Sequence, residues 1–202
     1  MDRVVYSEKE IAIFNGVINL LKEGRNPYQV KVADIANSAG VGKGTIYEYF
    51  DNKKEVIKKA LLYNLNQEIS ALEERLRSKV SFKDQYYEVL ASVRENIENK
   101  FSTFNILLSV GKISDINLSQ LERDLSQMGY FHRMAELLER MLTAGNQEGL
   151  IKKIEDGYYA HMVLKSSFYM FGEYISLPWI YKDISRESAM EYAYEMVLKS
   201  LR

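Results

Sequence analysis

Residues Ala33 to Glu55 read ADIANSAGVGKGTIYEYFDNKKE, with three glycines, three aromatics and three lysines in one short stretch. Apolar residues recur at helical spacing on both sides of Gly40. Ile35 and Ala39 lie one turn apart on a helix predicted over Val32 to Ser38. Ile46 and Phe50 lie one turn apart across a second, predicted over Lys43 to Tyr49. Val41, between them, can plug the angle where the two helices cross. Ala36 is small enough for close helix approach, and Gly40 can take the left-handed conformation that a sharp turn needs. This is the pattern of a helix-turn-helix. With Ile46 and Phe50 inward, Lys43, Thr45, Glu48 and Tyr49 are expected to face out, while Tyr47 suits either hinge packing or a phosphate contact. A cation, a hydroxyl and an aromatic hydroxyl on one face suit phosphates and base edges in a major groove.

The flanks extend the pattern. Ser7 with Glu10 has the form of a capping box, and Ile11, Phe14, Val17, Ile18 and Leu21 mark one face of a first helix that Gly24 and Asn26-Pro27 end. Asn52 with Glu55 is a second capping box, opening a long helix to about Arg77, roughly 37 Å at 1.5 Å per residue. Lys53 and Lys54 fall in its first turn, where the macrodipole disfavours cations. That placement makes sense if an external anion such as a DNA phosphate binds Lys53 and the free backbone N–H groups. Otherwise the lysines form a solvated face offset by Asp51 and Glu55; Lys58 and Lys59 read as solvated. Further helices are predicted near 82–100, 103–112, 118–145, 155–176 and 186–201, with a turn between Gly149 and Gly157 and a stop at Pro178. The fold class is all-α, with about nine helices.

The 202 residues, 47% hydrophobic and 12% aromatic, are ample for a packed core. The absence of cysteine excludes disulfide scaffolds and thiolate metal sites and fits a reducing cytoplasm. The start, MDRVVYSEKE, lacks the apolar region of a signal peptide, and the most apolar segment, Ser167 to Tyr181, is interrupted by Glu173 and Pro178. A soluble cytoplasmic protein without membrane association is expected. Formal net charge is −1: residues 1–60 carry ten Lys/Arg against eight Asp/Glu, and the rest 17 against 20. Nucleic-acid contact must therefore come from a few well-placed cations rather than a basic coat.

Over Glu8 to about Ala60, and most specifically at IANSAGVGKGTIYEYFDNKKE, the sequence resembles the tetracycline-repressor (TetR) family of bacterial transcription regulators. The resemblance implies a DNA-binding domain over 1–60, a helical ligand-binding and dimerisation domain over 61–202, and a homodimer on a palindromic operator. By position, Lys43, Gly44, Thr45, Tyr47 and Tyr49 would form the DNA-facing surface, with Lys53 on a phosphate. Gly44 would let the backbone approach DNA closely. Glu48 would reach bases, where an acceptor reads a cytosine amino group. Two positions depart from the family pattern. Lys31 stands where Thr is frequent, keeping a phosphate contact but not the cap; Gly42 stands where Ser is frequent, leaving the third helix less well capped.

The rest of the chain matches the family in helix count and layout only. The segment YYAHMVLKSSFYMFGEYISLPWIY is apolar around nearly its whole circumference: Phe168, Phe171 and Ile175 mark one side, Met162, Ser166 and Tyr169 another. One side should meet the chain's own core and the other a second subunit. By resemblance Phe168, Phe171, Gly172 and Ile175, with Tyr192, Met196 and Leu198 of the last helix, would form the dimer interface. Pocket candidates for a small-molecule effector are Phe101, Phe104, Met128, Phe131, Met134, Met141, Met162 and Tyr169, since Met and aromatics make adaptable pockets and equally make plain core. No cofactor, catalytic residue or metal is expected. His132 and Glu136 form an i, i+4 pair, but no third ligand stands at a recognisable spacing and no nucleophile motif occurs. The readings are thus a ligand-released repressor, a ligand-independent DNA-binding protein controlled by a protein partner, and, more distantly, a helical enzyme with a His132/Glu136 metal site.

Overall fold

Ser7 Oγ accepts from the Glu10 N–H while the Glu10 carboxylate accepts from the Ser7 N–H at 2.8 Å, and this reciprocal cap starts helix α1, Glu8–Lys22. In the computed structural model, which describes residues 5–27, 29–99, 102, 118–152 and 156–202, eight helices follow. They are α2 (Val32–Ala39), α3 (Lys43–Tyr49), α4 (Lys53–Arg77), α5 (Phe82–Glu98), α6 (Leu118–Gln127), α7 (Tyr130–Gln147), α8 (Gly157–Ser176) and α9 (Arg186–Leu201). Among the described residues there is no strand, so the all-α reading holds. The helix expected over 103–112 lies outside them. The single helix expected over 118–145 is two: Gly129, at φ 72°, ends α6 in a left-handed turn. Apolar spacing continues through the break, so periodicity alone passes over it.

The chain forms two compact units. The first comprises residues 1–69 and 101–129, the second 70–100 and 130–202. In the first, Phe14, Ile35, Ile46, Phe50, Val56 and Leu61 are buried in one apolar cluster supplied by α1 to α4. Each such side chain contributes about 1.5–3 kcal/mol on burial. Phe14 is its hub, with ring centroids 5.0 Å from Tyr6, 5.7 Å from Phe50 and 5.3 Å from Tyr63. Gly40 is left-handed at φ 66° and closes α2, as its position predicts. Ala36 is buried in the same cluster, and α1 also comes close to α2 at Gly16. A Cβ on Gly16 would lie 2.9 Å from both the Cβ and the backbone N of Ala39. Ser38 Oγ donates to the Gly16 carbonyl at 3.0 Å and locks the pair.

The second unit has a separate core in which Phe82, Tyr86 and Leu90 of α5 meet Leu138 and Met141 of α7, Leu164 and Phe171 of α8, and Val197 of α9. The buried Tyr86 hydroxyl donates to Ser167 Oγ at 2.9 Å, and Ser167 donates on to the Leu164 carbonyl at 2.7 Å. This chain satisfies both hydroxyls inside an apolar core. Burial raises the Tyr86 phenol well above its usual value, against the opposing effect of the Ser167 bond.

Candidate nucleic-acid interface

The candidate interface is built on α3, seven residues long, whose inward anchor is Ile46. At 100° per residue from Ile46, positions 44, 47 and 48 point away from the core and position 49 points along its margin. The exposures follow that geometry. Gly42, Lys43, Gly44, Tyr47 and Glu48 are exposed, Tyr47 by 52%. Thr45 is half-buried. Tyr49, expected to face out, is instead half-buried against the core, its ring centroid 6.3 Å from that of Phe50. Of the two tyrosines, Tyr47 thus takes the outward of its two readings, and Tyr49 alone departs from the expectation by packing inward.

The three helix starts of this region are capped unequally. Gly42 caps α3 with no side-chain hydrogen bond, as the sequence implies. Lys31, exposed, stands at the N-cap of α2; its ammonium has no acceptor to offer, and only the reverse half of a cap forms, with the Asp34 carboxylate accepting from the Lys31 N–H at 2.9 Å. At α4, Asn52 Oδ1 accepts from the Glu55 N–H at 3.0 Å, while the Glu55 carboxylate reaches one residue further back than expected, to the Asp51 N–H at 2.7 Å. Lys31, Lys43 and Lys53 therefore each stand at or beside a helix start, where a cation costs about 0.3–1 kcal/mol in the absence of an anion. Lys53 is half-buried and Lys54 exposed.

Lys58 and Lys59 are not simply solvated. Lys58 Nζ pairs with Asp124 of α6 at 3.0 Å, and Lys59 Nζ with Glu55 at 2.8 Å while lying 5.5 Å from the centroid of the Phe50 ring. The hydrogen bond from Lys59 holds the Glu55 carboxyl below its ordinary range, and the same bond raises Lys59.

In the second unit, the two sides of α8 are the reverse of the expectation. Phe171 and Gly172 are buried against the unit's own core, Phe168 and Ile175 pack on it, and a Cβ on Gly172 would lie 3.1 Å from Ile97 Cδ1. They are not an open interface. Tyr158, Met162, Tyr169 and Met170 are exposed instead, Tyr169 by 72%. Tyr192 and Met196 of α9 are exposed, as a contact surface requires, while Leu198 packs on the core.

The pocket candidates scatter. Phe101 and Phe104 lie outside the described residues. Met162 and Tyr169 are on the surface, Phe131 is 52% exposed, and Met128 and Met134 are half-buried. Met141 is fully buried among the residues of the second core. A cavity of about 310 Å³ in this unit involves none of them; Glu139, Leu142, Thr143, Asn146, Ile151, Lys152, Gly157 and Ala160 line it. No apolar run marked it, because its walls mix polar and apolar residues from α7, from the segment after it and from the start of α8. His132 Nε2 lies 3.2 Å from Glu136 Oε1, both largely exposed. Among the described residues no group of three or more His, Asp or Glu is placed to hold a metal, and no helix is long and apolar enough to cross a membrane.

Residues 23–60 match the sequence pattern of the bacterial regulatory proteins, tetR family. The fatty acid metabolism regulator protein of Bacillus subtilis (strain 168) is 29% identical over 151 residues, 72% of either chain. Among solved structures, the fatty acid degradation regulator FadR of Bacillus halodurans shares the fold with a TM-score of 0.63 and 17% identity over 98% of both chains. The transcriptional regulator FadR of Bacillus subtilis, solved in complex with stearoyl-CoA, does so with a TM-score of 0.59 and 20% identity, covering 95% of this chain and 97% of that one.

Proposed function

We propose that this chain, whose residues 23–60 match the bacterial regulatory proteins of the tetR family, acts as a homodimeric repressor released from a palindromic operator by a long-chain acyl-CoA. The observation that carries the DNA-binding half is the outward face of α3, where bare backbone at Gly42 and Gly44 lies beside Lys43, Tyr47 and Glu48. Two such faces in a two-fold dimer read two half-sites. Lys53, at the start of α4, anchors a phosphate.

Dimerisation is supported by the exposed face of α8 and α9. Tyr158, Met162, Tyr169, Tyr192 and Met196 leave large apolar side chains in water at helical spacing on two helices that pack together. A second copy covers such a face isologously. Support for the ligand comes from the relatives: one is a fatty acid metabolism regulator, and another was solved with stearoyl-CoA. An amphipathic acyl chain suits adaptable side chains such as Phe131 and Met134 of the second unit.

The test selects operators from random duplexes, then titrates stearoyl-CoA, free stearate and free CoA into the protein–operator complex. Stearoyl-CoA should release DNA where the two fragments do not. Linkage is reciprocal: a tenfold loss of operator affinity, about 1.4 kcal/mol, requires a tenfold loss of ligand affinity in the presence of operator. Equal ligand affinities with and without operator would exclude this ligand as inducer.

A further inference from the structure

We infer that the cavity of about 310 Å³ in the second unit is a binding site for a small zwitterion, an α-amino acid with an aliphatic side chain. The inference stands apart from the acyl-CoA reading, since none of the residues named there lines this cavity. Its walls come from three segments held in fixed places. Gly149, left-handed at φ 68°, turns the chain back after α7, and the Leu150 N–H donates to the Gly145 carbonyl at 2.9 Å. The turn buries Ile151 and brings Lys152 to the cavity, with the Lys152 N–H donating to the Leu201 carbonyl of α9 at 2.8 Å. Gly157 and Ala160 come from α8, whose start is fixed by Asp156 Oδ1 accepting from the Tyr158 N–H at 2.9 Å.

Two opposite charges line this cavity without meeting. Lys152 forms no ion pair with Glu139 or with any other described carboxylate. Glu139 is oriented instead by His161, whose Nε2, shut off from water, lies 2.8 Å from Glu139 Oε1. A Cβ on Gly157 would stand 3.9 Å from the same oxygen, so a longer side chain there would fill the space before the carboxylate, and glycine keeps it open. Leu142, Ile151 and Ala160 supply an apolar wall. An anion alone would meet the Glu139 carboxylate, and a cation alone the Lys152 ammonium. A molecule carrying both signs satisfies both, its carboxylate toward Lys152 and its ammonium toward Glu139, with a short aliphatic chain on the apolar wall. The volume stands at the lower end of small-molecule sites, which suits an amino acid and is too small for a whole acyl-CoA.

The full chain is titrated by saturation-transfer NMR with leucine, glycine, 4-methylpentanoate and isopentylamine, the last two being leucine without its ammonium and without its carboxylate. Leucine should bind saturably, and each of the other three at least about tenfold more weakly, since each leaves one wall unmet. Lys152→Met and Glu139→Gln, both at exposed positions and checked for folding by circular dichroism, should each weaken leucine by at least about tenfold. A wild type without saturable leucine binding overturns the inference. So does an unchanged affinity in either variant, which removes that charge from the site. Binding of 4-methylpentanoate or isopentylamine as tight as that of leucine also overturns it, because the site then reads one charge and not two.

Discussion

Replacing Gly44 with alanine should stabilise the fold and weaken operator binding, and the same replacement at Gly16 should reverse the first effect. Gly44 lies inside α3 without a positive φ, and an added Cβ would meet nothing within 4 Å. The chain therefore forgoes about 0.5–1 kcal/mol of helix stability there for no internal reason. At Gly16 the added Cβ sits 2.9 Å from the backbone N of Ala39, which cannot rotate away. Separating α1 from α2 enough to admit it costs about 1–3 kcal/mol and stretches the Ser38–Gly16 hydrogen bond, more than the propensity gain returns. Urea unfolding followed by circular dichroism should thus rank Gly44→Ala above wild type and Gly16→Ala below it. Fluorescence anisotropy on the selected operator should show Gly44→Ala weaker by at least about tenfold, roughly 1.4 kcal/mol, because the methyl keeps the helix off the DNA. The reasoning fails if Gly44→Ala binds the operator as tightly as wild type, or if it unfolds at lower urea.

Tyr169→Glu places a charge on the exposed side of α8 and should yield a folded monomer in sedimentation equilibrium, while Phe171→Glu, 3% exposed in wild type, should unfold the second unit. A Tyr169→Glu protein as dimeric as wild type would move the interface elsewhere. Tyr86 stays protonated in the fold above the pH, about 10, at which it ionises in the unfolded chain, so its stabilisation is complete below that pH and fades as pH rises through its raised native value. Tyr86→Phe should cost about 1 kcal/mol at neutral pH and shallow the alkaline loss of stability measured by unfolding between about pH 9 and 11; an unchanged slope would refute the assignment.

The helix-turn-helix was legible because its determinants are local. Ser7 with Glu10, Gly40, and the Ile46/Phe50 spacing each act within a few residues, and the structure keeps all three. The sides of α8 were not legible, because periodicity separates two apolar faces without saying which one the rest of the chain covers. That answer comes from α5, through contacts such as Ile97 on Gly172, far apart in sequence. Gly16 escaped for the same reason, since its partner Ala39 belongs to another helix. Tyr49 departs from the expectation because a short helix is not simply two-sided: position 49 lies only 60° from the inward Ile46.

The first compact unit takes its residues from two separate lengths of chain, 1–69 and 101–129. Ala60 and Leu61, both fully buried, lie in its cluster, and Lys58 is tied to Asp124 from the later length. The unit therefore resists grafting. A chimera that joins residues 1–60 to a foreign body divides an apolar core and discards an ion-pair partner, whereas a transplant that carries α6 along with α4 keeps both. Recombination between relatives should accordingly leave its junctions away from residue 60, and natural or engineered hybrids should express as soluble protein only when both lengths come from one parent.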